Sequence, residues 1–179
     1  MRVLALAEVG AGDPRGHLRP TSDRVRESIF NLLTNGPRGD RVAGRRVLDL
    51  FAGTGAMALE ALSRGAAEAV LIDSGRAAGA LIAQNIARAK AGEIARHLPR
   101  DARAPGPCNG PPFDLVFLDP PYGQGLGESA AAAALAGGWI APGATLVWEE
   151  SRPPLLLPGL ALLDQRRYGD TLVTICEAA

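Results

Sequence analysis

The chain has 179 residues, of which 47% are hydrophobic, and its 19 basic and 19 acidic residues give a formal net charge of zero at pH 7. A chain of this length suits one domain with a substantial core. The balanced charge excludes binding of nucleic acid through a basic field over the whole surface. The charge is nevertheless uneven, because residues 1–46 hold nine arginines against five acidic residues. Contact with a polyanion is therefore expected near the start of the chain.

The cysteine and histidine residues are few and widely spaced. Cys108 and Cys176 lack the spacing of a paired metal motif, and His17 and His97 add no recognisable ligand set. The apolar opening segment stops at Glu8, and no apolar run reaches the length needed to cross a membrane. We therefore expect a soluble, cytoplasmic protein with reduced cysteines, no bound metal and no membrane anchor.

The amino-terminal region predicts a short strand, Arg2–Val9, followed by a segment rich in glycine and then a helix. Ser22 is suited to cap this helix, which should end before Gly36. The apolar stripe of the helix consists of Val25, Ile29, Leu32 and Leu33.

The charges on this helix allow two interpretations. Arg24 and Arg26 could contact a polyanion from an exposed face. Alternatively, they could form salt bridges on the helix surface, because Asp23 and Glu27 lie within one turn of them.

A buried strand and a glycine turn form the first functional motif. The apolar stretch Val47–Phe51 predicts a strand, and Gly53 and Gly55 break it before a helix over Ala56–Arg64. Glycine lets the backbone turn tightly, and it lets a ligand approach main-chain N–H groups without a Cβ in the way. The turn therefore suits a nucleoside, although an ordinary strand–helix connection can have the same pattern.

An acidic residue ends the next predicted strand, Ala69–Asp73. Asp73 follows Gly55 by 18 positions, a spacing at which a carboxylate can accept hydrogen bonds from both hydroxyls of a ribose. A helix over Ala77–Ala91 and a weak strand over Ile94–Leu98 follow. This alternation indicates an open α/β sheet, whose ligands bind beyond the carboxyl ends of the strands.

The second functional motif is the Asp-Pro-Pro-Tyr run Asp119–Tyr122, directly after a predicted strand over Phe113–Leu118. Residues 103–112 hold four prolines and two glycines, which predicts a loop rather than a helix before that strand. The prolines stiffen the chain, so that the Asp119 carboxylate and nearby carbonyl groups can accept hydrogen bonds from an amino group while Tyr122 stacks on the ring that carries it. A plain Pro-Pro turn is the alternative.

One helix and three strands are predicted in the rest of the chain. The helix is Glu128–Leu135, and the first strand is Ala144–Glu149. The last two strands, Ala161–Arg167 and Thr171–Glu177, are joined by a turn at Gly169. A turn of this kind predicts an antiparallel pair at the edge of the sheet.

Two adjacent acidic residues, Glu149 and Glu150, stand at the end of the predicted fifth strand. Such a pair could serve acid–base chemistry. Carboxylates at strand ends are more often solvated, since Glu is rarely buried. We therefore expect both side chains to be exposed and without a role in the site.

Four runs of this sequence together resemble one known family. They are the Arg-Pro-Thr-Ser-Asp-Arg-Val-Arg-Glu run from Arg19, the Asp-Leu-Phe-Ala-Gly-Thr-Gly-Ala run from Asp49, the Asp-Pro-Pro-Tyr motif, and the Tyr-Gly-Asp-Thr run from Tyr168. Over about residues 17–179 the sequence is similar to the RsmD family of class I methyltransferases. The resemblance implies a Rossmann-like α/β fold: a seven-stranded, mostly parallel sheet with an antiparallel carboxy-terminal edge hairpin and helices on both faces. A single domain over residues 1–179 is expected, with an amino-terminal extension (1–45) and a cofactor-binding and catalytic core (46–179).

The resemblance also implies an activity, namely methylation of the exocyclic N2 amine of one guanine in the 16S rRNA of the small ribosomal subunit. The implied cofactor is S-adenosyl-L-methionine. The implied catalytic residues are Asp119, Pro120, Pro121 and Tyr122. The implied cofactor-binding residues are Thr21, Asp49, Phe51, Gly53, Gly55, Asp73, Ser74, Asp101 and Ala102. The implied RNA-binding residues are Arg19, Arg24, Arg26 and Tyr168.

Other functions share parts of this pattern. A methyltransferase acting on DNA adenine N6 or on release-factor glutamine would use the same acceptors, although the glutamine enzymes usually carry Asn where Asp119 stands. An inactive ribosome-assembly factor that binds the cofactor need not keep Asp119 and Tyr122. A nicotinamide dehydrogenase has no use for the Asp-Pro-Pro-Tyr motif. We expect a monomer, because no apolar surface helix is left over.

Overall fold

A computed structural model describes residues 23–179 of the chain. In this part the chain forms four helices and seven strands. The helices are α1 (Asp23–Asn35), α2 (Ala56–Ser63), α3 (Arg76–Ala89) and α4 (Leu126–Ala136). The strands are β1 (Arg46–Leu50), β2 (Glu68–Ile72), β3 (Ala95–Leu98), β4 (Phe113–Leu118), β5 (Ile140–Glu150), β6 (Leu160–Tyr168) and β7 (Thr171–Ala178). The predicted strand Arg2–Val9 and the predicted cap Ser22 lie outside the described residues.

The strands form one seven-stranded sheet in the order β3-β2-β1-β4-β5-β7-β6. Neighbouring strands from β3 to β5 run parallel, whereas β7 is antiparallel to β5 and β6 is antiparallel to β7. The predicted mostly parallel sheet with an antiparallel carboxy-terminal edge pair is therefore confirmed. The order of the strands reverses between β1 and β4, and open α/β sheets bind their ligands beyond the strand ends at such a point.

Helix α1 covers one face of the sheet because its apolar side chains recur at helical spacing. Ile29, Phe30 and Leu33 are buried, and the ring centre of Phe30 lies 5.6 Å from that of Phe117 in β4. The helix ends before Gly36, as predicted. Helices α2 and α3 join the same core through Met57, Leu59 and Ile82.

Helix α4 covers the opposite face of the sheet. Its buried alanines let the helix approach the sheet closely, and Ala130 and Ala134 lie in one core with Leu146 and Trp148 of β5. The prediction of helices on both faces is confirmed.

The proline-rich loop before β4 covers part of the same face without forming a helix, as predicted. Its carbonyl groups are held from outside the loop: Trp139 Nε1 donates to Gly106 O at 2.7 Å, and Arg100 Nη1 donates to Pro105 O at 2.7 Å. The four prolines of the loop have no N–H to donate, so the loop has few backbone hydrogen bonds of its own and these side chains hold it in place.

The elements predicted within residues 23–179 are found, and their bounds differ by a few residues. Helix α3 ends at Ala89 rather than Ala91, because Lys90 adopts a left-handed conformation with φ of 53°. Strand β5 begins at Ile140 rather than Ala144, because Ile140 already pairs with Phe113 before the register shifts.

None of the helices within residues 23–179 is both long and apolar enough to span a bilayer. The same part of the chain contains no cluster of His, Cys, Asp and Glu suited to a metal ion. The division of the chain into an extension (1–45) and a core (46–179) stays a prediction.

Candidate active site

Three acidic residues meet at the carboxyl ends of β1, β4 and β5. Each stands two positions after an apolar residue that faces α1, α2 and α3, so alternation along the strands puts all three on that face. The three are Asp49, Asp119 and Glu149. The register pairs Asp49 with Phe117 and Leu118 with Trp148, which makes these strand ends neighbours. Asp49 and Asp119 therefore flank the point where the strand order reverses, and Glu149 lies one strand further along the sheet.

The glycine turn after β1 is tight and leaves no room for side chains inside it. Phe51, Gly53 and Gly55 all have positive φ, of 63°, 56° and 78°. A Cβ on Gly55 would lie 2.7 Å from Leu71 Cδ2, so Leu71 would have to move, and the positive φ at Gly55 also disfavours any other residue. The side chain of Phe51 is half-buried against the core that contains α4.

Two polar side chains from neighbouring elements hold this turn. Asp73 Oδ2 accepts a hydrogen bond from the Gly53 N–H at 2.9 Å, and Asp73 Oδ1 accepts one from the Gly75 N–H at 2.8 Å. Asn85 of α3, which is fully buried, donates to the Thr54 carbonyl at 2.9 Å. Asn85 was not predicted from the sequence, although a polar residue on the buried side of a helix is the signal that could have identified it.

Asp49 joins the turn to helix α2. Its carboxyl group accepts a hydrogen bond from the Ala58 N–H at 3.1 Å, in the first turn of the helix. Burial, assisted by the charges of Asp119 and Asp73 and opposed by the Ala58 hydrogen bond, raises the pKa of Asp49 to about 8. A cation bound beside Asp49 would lower this pKa and favour the ionised carboxylate.

The Asp119–Tyr122 loop is supported from both sides. The Asp119 N–H donates to the Leu50 carbonyl at 3.5 Å, Pro120 is buried and Pro121 is half-buried. The Tyr122 hydroxyl lies 3.2 Å from Thr171 Oγ1 in β7. Burial raises the pKa of Tyr122 to about 12, and Asp119 and Glu149 act in the same direction. The phenol is therefore neutral at physiological pH, and its ring borders the acids.

The expectation that Glu149 and Glu150 are solvated was wrong. Only 2% of Glu149 and 7% of Glu150 are exposed, because β7 pairs with β5 as far as these two residues. Glu150 accepts hydrogen bonds from the Gly123 N–H at 2.9 Å and the Ser151 N–H at 2.7 Å. Glu150 thus ties the residue after Tyr122 to the end of β5.

Asp101 and Ala102 lie beyond the end of β3 and differ in exposure. Ala102 is buried, whereas Asp101 forms an ion pair with Arg103 Nη2 at 2.6 Å. The side chain of Arg103 is the main cause that lowers the pKa of Asp101. A ligand amine must therefore compete with Arg103 for this carboxylate. Ser74, beside Asp73, is exposed.

The predicted RNA-binding residues divide into three groups. Arg19, like the predicted cofactor-binding Thr21, lies outside the described residues. Arg26 forms an ion pair with Asp23 at 2.6 Å and its side chain is only 12% exposed, so the salt-bridge alternative holds for this residue. Arg24 is exposed and Tyr168 is half-buried in the turn between β6 and β7. These last two remain available for contact.

Curated proteins with known names resemble this chain over most of its length. It is 42% identical to the ribosomal RNA small subunit methyltransferase D of Escherichia coli strain K12 over 141 residues, which cover 79% of this chain and 68% of that protein. It is 34% identical to the protein of the same name from Haemophilus influenzae over 158 residues, which cover 85% of this chain and 79% of that protein.

A solved structure shares the fold. The structure described as the putative methyltransferase yhhF from Escherichia coli superimposes with a TM-score of 0.77 at 35% identity, covering 92% of this chain and 90% of that one. The fold is thus the Rossmann-like fold of methyltransferases, as the resemblance implied. The family model described as conserved hypothetical protein 95 matches residues 12–177. The chain therefore belongs to that family, the RsmD family of methyltransferases.

Proposed function

We propose that this protein transfers a methyl group from S-adenosyl-L-methionine to the exocyclic N2 amine of a guanine in 16S rRNA. Its family membership supports methyl transfer, and the names of its curated relatives support the small-subunit RNA as substrate. The observation that carries the chemistry is the position of Asp119 and Tyr122. They stand at the end of β4, directly beside the glycine turn that Asp73 braces.

The strand-end residues have the chemistry that the cofactor requires. Each oxygen of Asp73 accepts one internal hydrogen bond, which leaves lone pairs for the two ribose hydroxyls. Asp49 offers a buried carboxyl group for the ammonium of the methionine part, and the turn at Gly53 offers close approach to the backbone. Asp101 and the Ala102 N–H suit the adenine edge once Arg103 is displaced. We therefore assign these residues to the cofactor, together with Thr21, Phe51, Gly55 and Ser74.

The chain's own task is to position and polarise the amine. When bound, the cofactor supplies a methyl group on a sulfonium, which is already a strong electrophile. The lone pair of an exocyclic amine is delocalised into the ring, which makes the amine a poor nucleophile. Hydrogen bonds from the amine to the Asp119 carboxylate and the Pro120 carbonyl orient the nitrogen and favour tetrahedral geometry. The N–C bond would form as the methyl–sulfur bond breaks, with the sulfur leaving as a neutral thioether, and positive charge would develop on nitrogen. Asp119 stabilises that charge and accepts the proton that leaves the nitrogen.

The remaining loop residues hold the base. Tyr122 stacks on the guanine ring, and its neutral phenol keeps the hydrogen bond with Thr171. Pro121 removes a backbone donor that would otherwise face the amine. Arg19, Arg24 and Tyr168 are assigned to the surrounding RNA, whereas the ion pair with Asp23 takes Arg26 out of that role.

The test is transfer of labelled methyl from S-adenosylmethionine to small subunits, and to bare 16S rRNA, from cells that lack this protein. Nucleoside analysis then identifies the product. We expect N2-methylguanine at one site. Cofactor binding without transfer to either substrate would contradict the proposal, and release-factor glutamine and DNA adenine would be the next substrates to assay.

A further inference from the structure

Two arginines outside the predicted RNA-binding set lie beside the Asp119–Tyr122 loop. The Nη2 atom of Arg152 lies 3.7 Å from the position of a Cβ built on Gly123, the residue after Tyr122. Both Nη atoms of Arg167, in β6, lie 3.4 Å from the carbonyl oxygen of Ser151. Because Ser151 adjoins Glu150, which holds Gly123, both guanidinium groups stand on the rim of the candidate active site.

No carboxylate among the described residues neutralises these two guanidinium groups. Within residues 23–179 neither of them forms a salt bridge, whereas neighbouring Arg166 pairs with Asp164 at 3.0 Å and Arg103 pairs with Asp101 at 2.6 Å. The two carboxylate oxygens of Glu150 instead accept backbone N–H groups. Arg152 and Arg167 are also exposed, so their positive charges are accessible to a ligand from solvent.

The strand ends around the loop carry the opposite charge. Besides the buried Asp49, four acidic residues stand there: Asp73, Asp119, Glu149 and Glu150. A nucleotide whose base reaches Asp119 brings its phosphates close to these acids, and the net charge of the whole chain is zero. The protein has no general basic field to offset that repulsion, so cations at the rim would reduce it where the phosphates pass.

We propose that Arg152 and Arg167 bind the phosphate groups that flank the target nucleotide of the RNA. This inference rests on the proposed function, because it takes RNA as the substrate. A guanidinium can bind a phosphate through two parallel N–H donors. The bonds from both Nη atoms of Arg167 to the Ser151 carbonyl use two of the five N–H donors of the guanidinium and leave the others for that contact. The two arginines thus hold the RNA backbone while Asp119 and Tyr122 bind the target base.

The test is the salt dependence of RNA binding by the full chain. The affinity for a single-stranded fragment of 16S rRNA is measured between about 50 and 200 mM salt for the wild type and for Arg152→Gln/Arg167→Gln. The matched control is Arg88→Gln/Arg96→Gln, which removes the same charge from two exposed sites in α3 and β3, away from the β5–β6 end of the sheet. A second variant, Arg152→Lys/Arg167→Lys, keeps the charge in place.

We expect the slope of log affinity against log salt to be shallower in the rim variant by about 1.4, since each phosphate contact on a single strand contributes about 0.7. The control and the lysine variant should keep the wild-type slope, and all variants should bind S-adenosylmethionine like the wild type. An unchanged slope in the rim variant, or an equal change in the control, would overturn the inference.

The methyl-transfer assay separates this inference from the proposed function. Transfer to guanine by the wild type, combined with an unchanged slope in the rim variant, would overturn the arginine contact alone. A shallower slope in the rim variant, combined with no transfer to RNA by the wild type, would support the contact and overturn the proposed reaction.

Discussion

The carboxylate of Asp73, at the end of β2, accepts a hydrogen bond from the backbone N–H of Gly53 at 2.9 Å, across the gap to the turn after β1. One side chain thus fixes the backbone that a nucleoside approaches and presents the acceptors that a ribose requires. A change at Asp73 should therefore alter both the shape of the turn and the affinity of the site for S-adenosylmethionine.

Replacing Asp73 with Ala should weaken the binding of S-adenosylmethionine. The change removes the ribose acceptors and leaves the N–H groups of Gly53 and Gly75 without this partner. Hydrogen bonds to a charged group contribute about 1.5–3 kcal/mol, which corresponds to roughly 10- to 100-fold in Kd. Titration calorimetry measures the loss, with Glu93→Ala, an exposed loop acid, as the control. Equal affinity for S-adenosylmethionine in the two variants would show that Asp73 does not bind the cofactor.

Replacing Asp119 with Ala should lower turnover at least about 100-fold, the usual effect of removing one preorganised polar contact to the reacting group. The affinity for S-adenosylmethionine should change little, because Asp119 is assigned to the substrate amine. Single-turnover methyl transfer on RNA and calorimetry with the cofactor separate the two effects. Near-normal transfer by this variant would refute the assigned role.

Replacing Glu150 with Ala should destabilise the protein and loosen the Asp119–Tyr122 loop. The N–H groups of Gly123 and Ser151 lose their acceptor, at a cost of about 1–3 kcal/mol. Each kcal/mol should lower Tm by about 2–4 °C in a protein of this size, and KM for RNA should rise. Glu150→Gln, whose amide oxygen can keep one of the two bonds, should show a smaller change. Thermal melts with no difference from the wild type would contradict this role.

The raised pKa of Asp49 predicts that stability depends on pH. In the folded protein this carboxyl group titrates near pH 8, against an ordinary value of 3.8. The folded state therefore binds the proton more tightly than the unfolded state. The resulting stabilisation is complete below about pH 4, declines as pH rises, and is lost as pH passes about 8. Asp49→Asn keeps an acceptor for the Ala58 N–H but does not titrate. The variant should therefore lack this pH-dependent contribution to stability.

Urea unfolding of the wild type and of Asp49→Asn at pH 5 to 9 tests this dependence. The free energy of unfolding of the wild type should fall relative to that of the variant as pH rises towards 8. A constant difference between the two proteins over this range would show that Asp49 is ionised throughout.

Local chemistry in the sequence was sufficient for most of the fold and for the central residues of the candidate site. The buried strand before Gly53, the acid Asp73 one strand later and the proline-stiffened run after Leu118 are short segments whose conformation their own residues dictate. Because the carboxyl ends of parallel strands lie at one edge of a sheet, Asp73 and Asp119 could be predicted to lie at the same edge.

Features that depend on distant pairing were not predicted. Glu149 and Glu150 are ordinary strand-end acids by local rules, and they are buried only because β7 returns antiparallel along β5. Arg152 likewise reaches the rim of the candidate active site only because of the course that the chain takes after β5.

The sequence by itself thus determined the motifs, the order of the elements and the chemistry of the acceptors, because these depend on residue type and on short-range spacing. Only the tertiary structure decided which charges are buried, paired or free. Burial and ion pairing depend on which strands and loops become neighbours. Residues far apart in the chain, such as Tyr122 and Thr171, come into contact only when the strands have paired into the sheet.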